Sequence, residues 1–396
     1  MALGLYISVP FCRTKCTYCN FASGVFSKAM FQGYIDRVCR DMEQACVLAA
    51  DIGVRPERAV DSIYLGGGTP TVLDITHLER IFVTISQNFE VARESEITVE
   101  CAPGTLTDEM ITCLERCGVN RVSLGVQSFV DGEAAAVGRL HRRETALEDI
   151  SRLKSAGITN LNIDLIAGLP GQTEQSWAFS LEQAIATGVP HLSVYMLEVD
   201  EDSRLGRELI AGGAKYHAHF VPDEDLVADF YLMACERLEA ATLRQYEISN
   251  FARPRFQSCH NLKYWKRQPY LGFGVDAHSM LPAIAPGIEA VRFATSDSLE
   301  EYIAGRGGKR TLVDRGAGLE ETFFLGLRLN KGVDMADVAE RFGREALAAC
   351  GAAIAELVQS GLLQQEGRVI RLTTRGRLLS NEVFERFLTL PQSSGV

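Results

Sequence analysis

The chain has 396 residues, of which 46 % are apolar, and carries a formal net charge of −11. This length is enough for one large domain of about 200–250 residues and a smaller one. The chain has no long basic run, so nucleic acid is not an expected partner. It also lacks the roughly 18 uninterrupted apolar residues of a membrane span and the charged start of a secretion signal. We therefore expect a cytoplasmic protein.

Short β-branched runs alternate with longer amphipathic stretches over the first half of the chain. Each of six such runs is followed by a helical pattern, as over Phe31–Ala50, Ile75–Asn88 and Glu174–Thr187. This alternation predicts a parallel sheet with helices outside. Polar and glycine residues gather after successive strands, which favours an α/β fold with a partial (β/α)6 TIM-like barrel over a doubly wound sheet. The runs are GLYISVP, AVDSIYLGGG, SEITVECAPG, VNRVSLGVQS, ITNLNIDLIAGLP and HLSVYMLEV.

The second half of the chain is less regular. We expect a long surface loop over residues 201–225, a helix near Asp225–Ala241, and additional strands in QYEISNFA and YLGFGVDAHSM, which are separated by a basic, aromatic loop broken by prolines. A boundary near Ala304–Arg310 precedes helical patterns and the alternating hairpin LLQQEGRVIRLT, an order typical of a winged helix. Positive and negative residues are nearly balanced there, so we expect a lid or a docking module and not a DNA reader.

These patterns divide the chain into three regions. We predict a barrel over residues 1–240, an extension of the barrel over residues 241–308, and a small helical, winged-helix-like domain over residues 309–390.

Three cysteines, Cys12, Cys16 and Cys19, follow the first predicted strand in FCRTKCTYCNF. A structural zinc site is closed by a fourth ligand, and no further Cys or His lies at short spacing. An iron–sulfur cluster held by only three thiolates leaves one iron open for a small molecule. The alternative is a zinc site completed by a distant ligand, or simply buried thiols. The spacing therefore predicts a metal centre with an open position.

The spacing CxxxCxxC, with Tyr18 before the last cysteine, resembles the signature of radical S-adenosylmethionine (SAM) proteins. Further segments in order, among them LYISVPFC, GGGTPT, ECAPG, NIDLIAGLPGQT and CHNLKYW, resemble the family that holds oxygen-independent coproporphyrinogen III oxidase and the HemW-type heme chaperones. The resemblance extends over almost the whole chain. It implies a radical SAM barrel with a [4Fe–4S] cluster on Cys12, Cys16 and Cys19 and SAM on the open iron.

The resemblance also assigns residues to SAM. The glycine-rich loop after the second strand lets backbone approach the methionine amino group. Arg139 is expected to pair with the SAM carboxylate and Asp164 with the ribose hydroxyls. No catalytic residue is assigned. The full set implied for SAM is Tyr6, Tyr18, Gly67, Gly68, Thr69, Glu100, Gln127, Arg139 and Asp164.

Two features distinguish the two branches of this family. The oxidases resemble CxxxCxxCxC, whereas Phe21 stands at the last of these positions here, as in the chaperones. The oxidases also have a long segment before the cluster, whereas only eleven residues precede Cys12. Both features favour the chaperone branch.

The segment CHNLKYW resembles the HNxxYW element proposed as the heme site of the chaperones. It implies His260 as an axial ligand of heme iron, with Tyr264 and Trp265 as flat apolar faces. Cys259 is an alternative thiolate ligand. Nearby basic residues are candidates for contact with heme propionates or form a solvated face: Lys263, Lys266 and Arg267.

The sequence therefore favours a heme chaperone that binds a [4Fe–4S] cluster, SAM and heme and delivers heme to acceptor proteins such as respiratory enzymes. A homodimer is compatible with this interpretation, and whether the chain is an enzyme stays open. Three alternatives remain: a coproporphyrinogen III oxidase, a radical SAM enzyme that modifies heme, and a non-enzymatic cluster-based redox sensor. His217 and His219 match no motif of the family, and we predict that they are exposed in a loop.

Overall fold

The computed structural model describes residues 2–55, 57–201, 203–213 and 215–388. Six parallel strands lie side by side in chain order at its centre. These strands are β1 (Leu3–Val9), β2 (Ala59–Gly67), β3 (Glu90–Cys101), β4 (Arg121–Gln127), β5 (Asn160–Ala167) and β6 (His191–Met196). The helices between them are α1 (Ala29–Glu43), α2 (Ala45–Asp51), α3 (Ile75–Asn88), α4 (Asp108–Arg116), α5 (Asp131–Ala136), α6 (Arg143–Ser155) and α7 (Glu174–Ala186). The predicted (β/α)6 arrangement is confirmed.

The alternation of side chains along each strand separates the main core from the interior of the barrel. In β1, Leu5 and Ile7 are fully buried in one hydrophobic core that also contains Ile35 of α1. Residues of the opposite parity, such as Tyr6 and Ser8, face the barrel axis, where polar groups can pair with one another. This leaves the polar side chains of successive strands facing a common centre.

Six further strands extend this sheet at both edges, so that it has twelve strands in the described residues. One of them, β9, runs parallel to β1, and β8 runs antiparallel to β6. The strands are β7 (Arg244–Gln245), β8 (Asn250–Ala252), β9 (Tyr270–Gly274), β10 (His278–Pro282), β11 (Ile288–Ala294) and β12 (Lys309–Asp314). The helices of this part are α8 (Arg204–Ala211), α9 (Glu224–Ala240), α10 (Cys259–Trp265) and α11 (Leu299–Ile303).

Several local expectations are corrected by the structure. The predicted loop over residues 201–225 contains α8, whose N-cap is Ser203. The segment YLGFGVDAHSM forms two strands, β9 and β10, and Asp276 between them has a φ of 52°. The predicted helix over Phe31–Ala50 is divided at Gln44. The segment CHNLKYW, expected in a loop, forms the short helix α10.

The last part of the chain has its own small core, in which the rings of Phe323 and Phe387 stack with centroids 4.6 Å apart. Its strands form a three-stranded sheet: β13 (Val333–Asp334), β14 (Leu363–Glu366) and β15 (Val369–Leu372). Its helices are α12 (Arg315–Gly326), α13 (Met335–Phe342), α14 (Arg344–Ala349), α15 (Gly351–Gln359), α16 (Thr374–Leu378) and α17 (Ser380–Leu388). The predicted helical domain with a hairpin is therefore present, while its boundaries stay a prediction. Throughout the described chain, no helix combines the length and hydropathy needed to cross a bilayer.

Candidate SAM and cluster site

The carboxyl ends of the parallel strands surround a cavity of about 390 Å³. Its wall includes the three cysteines of the loop after β1, because that loop folds over the end of the barrel. Eight of the nine residues assigned to SAM also line the cavity: Tyr18, Gly67, Gly68, Thr69, Glu100, Gln127, Arg139 and Asp164. The structure thus brings together residues that are up to 152 positions apart in the sequence, from Cys12 to Asp164.

The cysteine loop is attached to its surroundings by backbone and side-chain contacts. The amide of Cys12 donates to the carbonyl of Gly24 at 2.9 Å. Thr69 Oγ1 lies 4.0 Å from Cys12 Sγ and Arg139 Nη1 lies 3.6 Å from Cys16 Sγ, each as a donor. Burial, followed by the neighbouring thiols, raises the pKa of Cys12. A bound metal centre would reverse this effect, because its positive charge stabilises thiolates.

The three cysteines Cys12, Cys16 and Cys19 line one cavity. Among the residues that the structure describes, no group of three His, Cys, Asp or Glu side chains is arranged to hold a metal ion. Three thiols at one cavity are the donor set that a cluster with one open iron would use.

The glycine-rich end of β2 permits close approach between the cysteine loop and the opposite wall. A Cβ atom on Gly68 would lie 2.7 Å from the carbonyl oxygen of Phe11 and 3.0 Å from Cys12 Sγ. A Cβ atom on Gly66 would lie 2.9 Å from the carboxyl group of Glu100. At Gly68 the near neighbour is backbone, so a side chain there would force the cysteine loop to move, whereas at Gly66 a side chain would displace the carboxyl group of Glu100.

Two carboxyl groups face the cavity from adjacent parts of the barrel. Glu100 Oε1 accepts a hydrogen bond from the hydroxyl of Tyr64 at 2.8 Å, and Asp164 accepts from Ser123 and Asn162 at 3.0 and 2.7 Å. Burial, and then the charge of Asp164, raises the pKa of Glu100 to about 7. Burial also raises the pKa of Asp164. Two buried carboxyl groups this close favour a cationic ligand.

Arg139 and Gln127 also contribute polar side chains to the wall. Arg139 donates to the carbonyl of Gly125 as well as to Cys16, so its side chain is held over the cavity and is not a solvated surface charge. Gln127 has a φ of 70°, a conformation that non-glycine residues adopt at a cost, and its buried Oε1 has no hydrogen-bond partner within the described part of the chain. An acceptor left free in a cavity of this kind is suited to a polar ligand. With its ammonium, sulfonium and carboxylate groups, SAM fits this donor and acceptor set.

The wall also contains residues that sequence analysis did not assign, among them Tyr64, Ser123 and Tyr195. All three stand on barrel strands at positions whose side chains face inward. Tyr64 lies two positions before Gly66 and Ser123 two positions before Gly125, so the alternation of side chains along a strand could have identified these two. Conversely, Tyr6 does not line the cavity. The centroid of its ring lies 6.2 Å from the ring centroid of Tyr64 and 6.3 Å from that of His260.

The structure places the heme candidate His260 in the floor of the barrel. Its side chain is 1 % exposed, Nδ1 is hydrogen-bonded with Ser62 Oγ at 3.0 Å, and Nε2 with the hydroxyl of Tyr264 at 2.8 Å. Burial, followed by the charges of Lys263 and Arg121, lowers the pKa of His260 to about 3, so the ring is neutral. Both ring nitrogens already have partners, and neither is presented to a ligand in this conformation.

The basic residues near His260 in the sequence differ in their exposure and in whether they form ion pairs. Lys263 Nζ pairs with Asp61 at 2.7 Å, and Arg267 pairs with Glu321 at 2.9 Å. Both side chains are buried, so the expectation of a solvated basic face is wrong for them, whereas Lys266 is exposed. The ring of Trp265 is covered by Arg328, whose Cζ lies 4.3 Å from the ring centroid. Cys259, beside His260 in the sequence, is exposed, and so are His217 and His219 in a different part of the chain.

Comparison with known proteins identifies the family. The model of the Radical SAM superfamily matches residues 6–184, and that of the HemN C-terminal domain matches residues 314–379. A Bacillus subtilis protein named heme chaperone HemW is 32 % identical over 388 residues, which are 97 % of this chain and 98 % of that protein. A Lactococcus lactis protein of the same name is 31 % identical over 387 residues, with 97 % and 96 % covered.

A solved structure shows that the fold is shared more widely. Coproporphyrinogen III oxidase (HemN) from Escherichia coli superposes with a TM-score of 0.81 at 23 % identity, covering 98 % of this chain and 90 % of that one. Since the sequence matches to proteins named HemW extend over nearly the full length of both partners, the chain belongs to the HemW family of the radical SAM superfamily.

Proposed function

We propose that this protein is a heme chaperone that holds a [4Fe–4S] cluster through Cys12, Cys16 and Cys19 and binds SAM in the cavity beside them. The observation that carries the proposal is the full-length match to proteins named heme chaperone HemW, in a chain whose three cysteines and SAM-compatible side chains line one cavity. Delivery of heme to acceptors such as respiratory enzymes, a cytoplasmic location and a homodimeric state belong to the same proposal.

The residues of the cavity have separate tasks in this proposal. Glu100 and Asp164 offset the positive charge of SAM, and Arg139 meets its carboxylate by a charge-assisted hydrogen bond. The backbone at Gly67 and Gly68 approaches its amino group without interference from a side chain. When bound and reduced, a cluster of this kind supplies the electron by which radical SAM enzymes cleave SAM.

Phe21 supports the chaperone branch. It stands at the position of the last cysteine in the CxxxCxxCxC pattern of the oxidases. The residue is 63 % exposed and lines the cavity. A phenyl ring cannot bind iron, whereas an exposed apolar ring suits contact with a porphyrin edge or a partner protein.

The position of His260 does not fit a heme ligand in the conformation described. An iron atom can reach either ring nitrogen only after the ring leaves Ser62 or Tyr264. Heme ligation by His260 therefore requires one of these two hydrogen bonds to break, and it stays a prediction.

The test combines turnover with heme transfer. The cluster is reconstituted without oxygen and reduced in the presence of SAM, and consumption of coproporphyrinogen III is followed together with release of 5′-deoxyadenosine. We expect no sustained consumption. The same preparation, loaded with heme, should transfer it to a purified heme-free acceptor, while cluster-free protein serves as the control. Protoporphyrinogen formed over many turnovers would instead identify an oxidase.

A further inference from the structure

Tyr64 connects the floor of the barrel with the SAM cavity. Its ring lies against the His260 ring, with centroids 5.4 Å apart and planes inclined by 33°. At its other end, the hydroxyl donates to Glu100 Oε1 at 2.8 Å. One side chain on β2 therefore contacts both the helix that carries CHNLKYW and the carboxyl group that faces the candidate ligand.

Helix α10 is attached to the barrel at several points. A displacement of the helix would therefore also move the strand residues that it contacts. Glu96 accepts the backbone amides of Cys259 and His260 at 3.0 and 3.1 Å. Lys263 Nζ donates to the carbonyl of Ala2 at 2.9 Å, in addition to its pairing with Asp61. These contacts attach α10 to the residue before β1, to Asp61 of β2 and to Glu96 of β3.

The packing around His260 is tight. A Cβ atom on Gly4 would lie 2.8 Å from Cδ of Lys263 and 3.0 Å from Cε1 of His260. The ring therefore has little space on the side of β1, and it packs on its other side against Tyr64. Because the two rings are in contact, a movement of His260 would change the packing around Tyr64.

We propose that Tyr64 is a positioning residue for the Glu100 carboxyl group and that His260, through Tyr64, couples helix α10 to SAM binding. The inference rests on the proposed function, because it takes SAM as the ligand of the cavity. A ligand that draws His260 from the floor, heme iron included, would then weaken SAM binding, and SAM would oppose that ligand by the same factor.

The titration of Glu100 gives a readout that a purely structural role would not change. The hydrogen bond from Tyr64 stabilises the ionised form, whereas burial and Asp164 favour the neutral form. SAM carries a net positive charge, so its affinity should rise as Glu100 ionises near pH 7. Six residues on neighbouring elements face Glu100: Tyr6 from β1, Tyr64 from β2, Arg121 from β4, Asp164 from β5, Tyr195 from β6 and Tyr264 from α10.

The first variant is Tyr64→Phe, which keeps the ring and removes the hydroxyl. In reconstituted protein we expect SAM to bind roughly 3–10-fold more weakly at pH 7, and the midpoint of its pH profile to move up by about one unit. Tyr231→Phe is the matched control, since the hydroxyl of Tyr231 donates to the carbonyl of Ile248 at 2.6 Å and lies outside the cavity. Its profile should equal that of the wild type.

The second pair of variants tests the coupling to α10. His260→Ala should move the midpoint in the same direction as Tyr64→Phe, and the double variant should show no larger shift than Tyr64→Phe alone. Should His260→Ala fail to fold, Gly4→Ala displaces the same ring without touching the cavity, and its effect should likewise vanish in the Tyr64→Phe background. Shifts that add independently would overturn the coupling.

The outcomes separate this inference from the proposed function. Wild-type protein with an intact cluster that binds no SAM would contradict both. Wild-type protein that binds SAM with a pH-dependent affinity, while Tyr64→Phe leaves the profile unchanged, would overturn only the role of Tyr64.

Discussion

The guanidinium group of Arg139 lies 3.6 Å from the sulfur of Cys16, with Nη1 as the donor. A second donor of the same group, Nη2, binds the carbonyl of Gly125 at the end of β4. One cation thus contacts both a candidate cluster ligand and the barrel wall, and it lines the cavity between them. Its charge favours an anionic group beside the thiolate, which is where the carboxylate of SAM is expected.

Arg139→Gln should therefore weaken SAM binding more than it lowers iron content. Loss of one charge-assisted contact predicts an affinity about 10–100-fold lower, measured by equilibrium dialysis on reconstituted protein. Arg116→Gln is the control, because that arginine is exposed and pairs with Glu79 on the surface. An unchanged affinity for SAM would remove Arg139 from the site.

Cys16→Ala should abolish the intact cluster. Wild-type protein reconstituted without oxygen should hold about four iron atoms per chain, and the variant substantially fewer, because a thiolate ligand is lost. The measurement is iron per chain together with the absorption and paramagnetic resonance spectra. Cys46→Ala, which changes a cysteine of α2 outside the cavity, should retain the full complement. A complete cluster in Cys16→Ala would refute the ligand assignment.

Gly68→Ala should disturb the cysteine loop. The added methyl group would meet the carbonyl oxygen of Phe11 at 2.7 Å, so backbone must move, and we expect a loss of about 1–3 kcal/mol in the free energy of unfolding. Iron content and SAM affinity should fall with it. Gly132→Ala is the matched control, since nothing lies within 4 Å of its Cβ position. Equal stability of the two variants, from denaturant titration, would contradict the close approach.

Glu100→Gln should stabilise the SAM-free protein at alkaline pH and weaken SAM binding. The pKa of this carboxyl group is about 7 in the folded chain, above its ordinary value of 4.5, so folding favours the neutral form. Its favourable contribution is complete below pH 4.5 and is lost as the pH rises through 7. At pH 8 the variant should be more stable by about 1–3 kcal/mol, and the difference should disappear below pH 4.5. A difference that does not depend on pH would exclude this carboxyl group as its source.

Heme binding by variants of His260 and of its partner Tyr264 tests whether His260 is the axial ligand. If His260 is the axial ligand, His260→Ala loses the heme spectrum of the wild type. Tyr264→Phe should then bind heme faster or several-fold more tightly, because Nε2 no longer has its tyrosine partner. His278→Ala, which changes an exposed histidine at the start of β10, is the control. Heme binding of unchanged affinity and spectrum in His260→Ala would place the ligand elsewhere, and exposed Cys259 would be the next residue to change.

Much of the barrel and of the SAM cavity is readable from local patterns. The alternation of β-branched runs and amphipathic stretches predicted the parallel strands β1 to β6, and α3 occupies its predicted range, Ile75–Asn88. Polar residues at the carboxyl ends of these strands converge because all six strands point the same way. The individual residues assigned to SAM came from the family resemblance, and eight of them line one cavity. The cysteine spacing predicted a metal centre by the same local logic.

Contacts between distant parts of the chain decided the rest. The neighbours of His260 include Ser62, which is 198 positions away, and Lys263 reaches the carbonyl of Ala2 from 261 positions away. From the sequence alone, a histidine among aromatic and basic residues is predicted to be a heme ligand. It becomes a buried part of the barrel floor only when α10 packs on β1 and β2. Sequence alone determined which residues line up along each strand; tertiary structure decided which polar groups satisfy one another, because pairing depends on proximity in space and not on spacing along the chain.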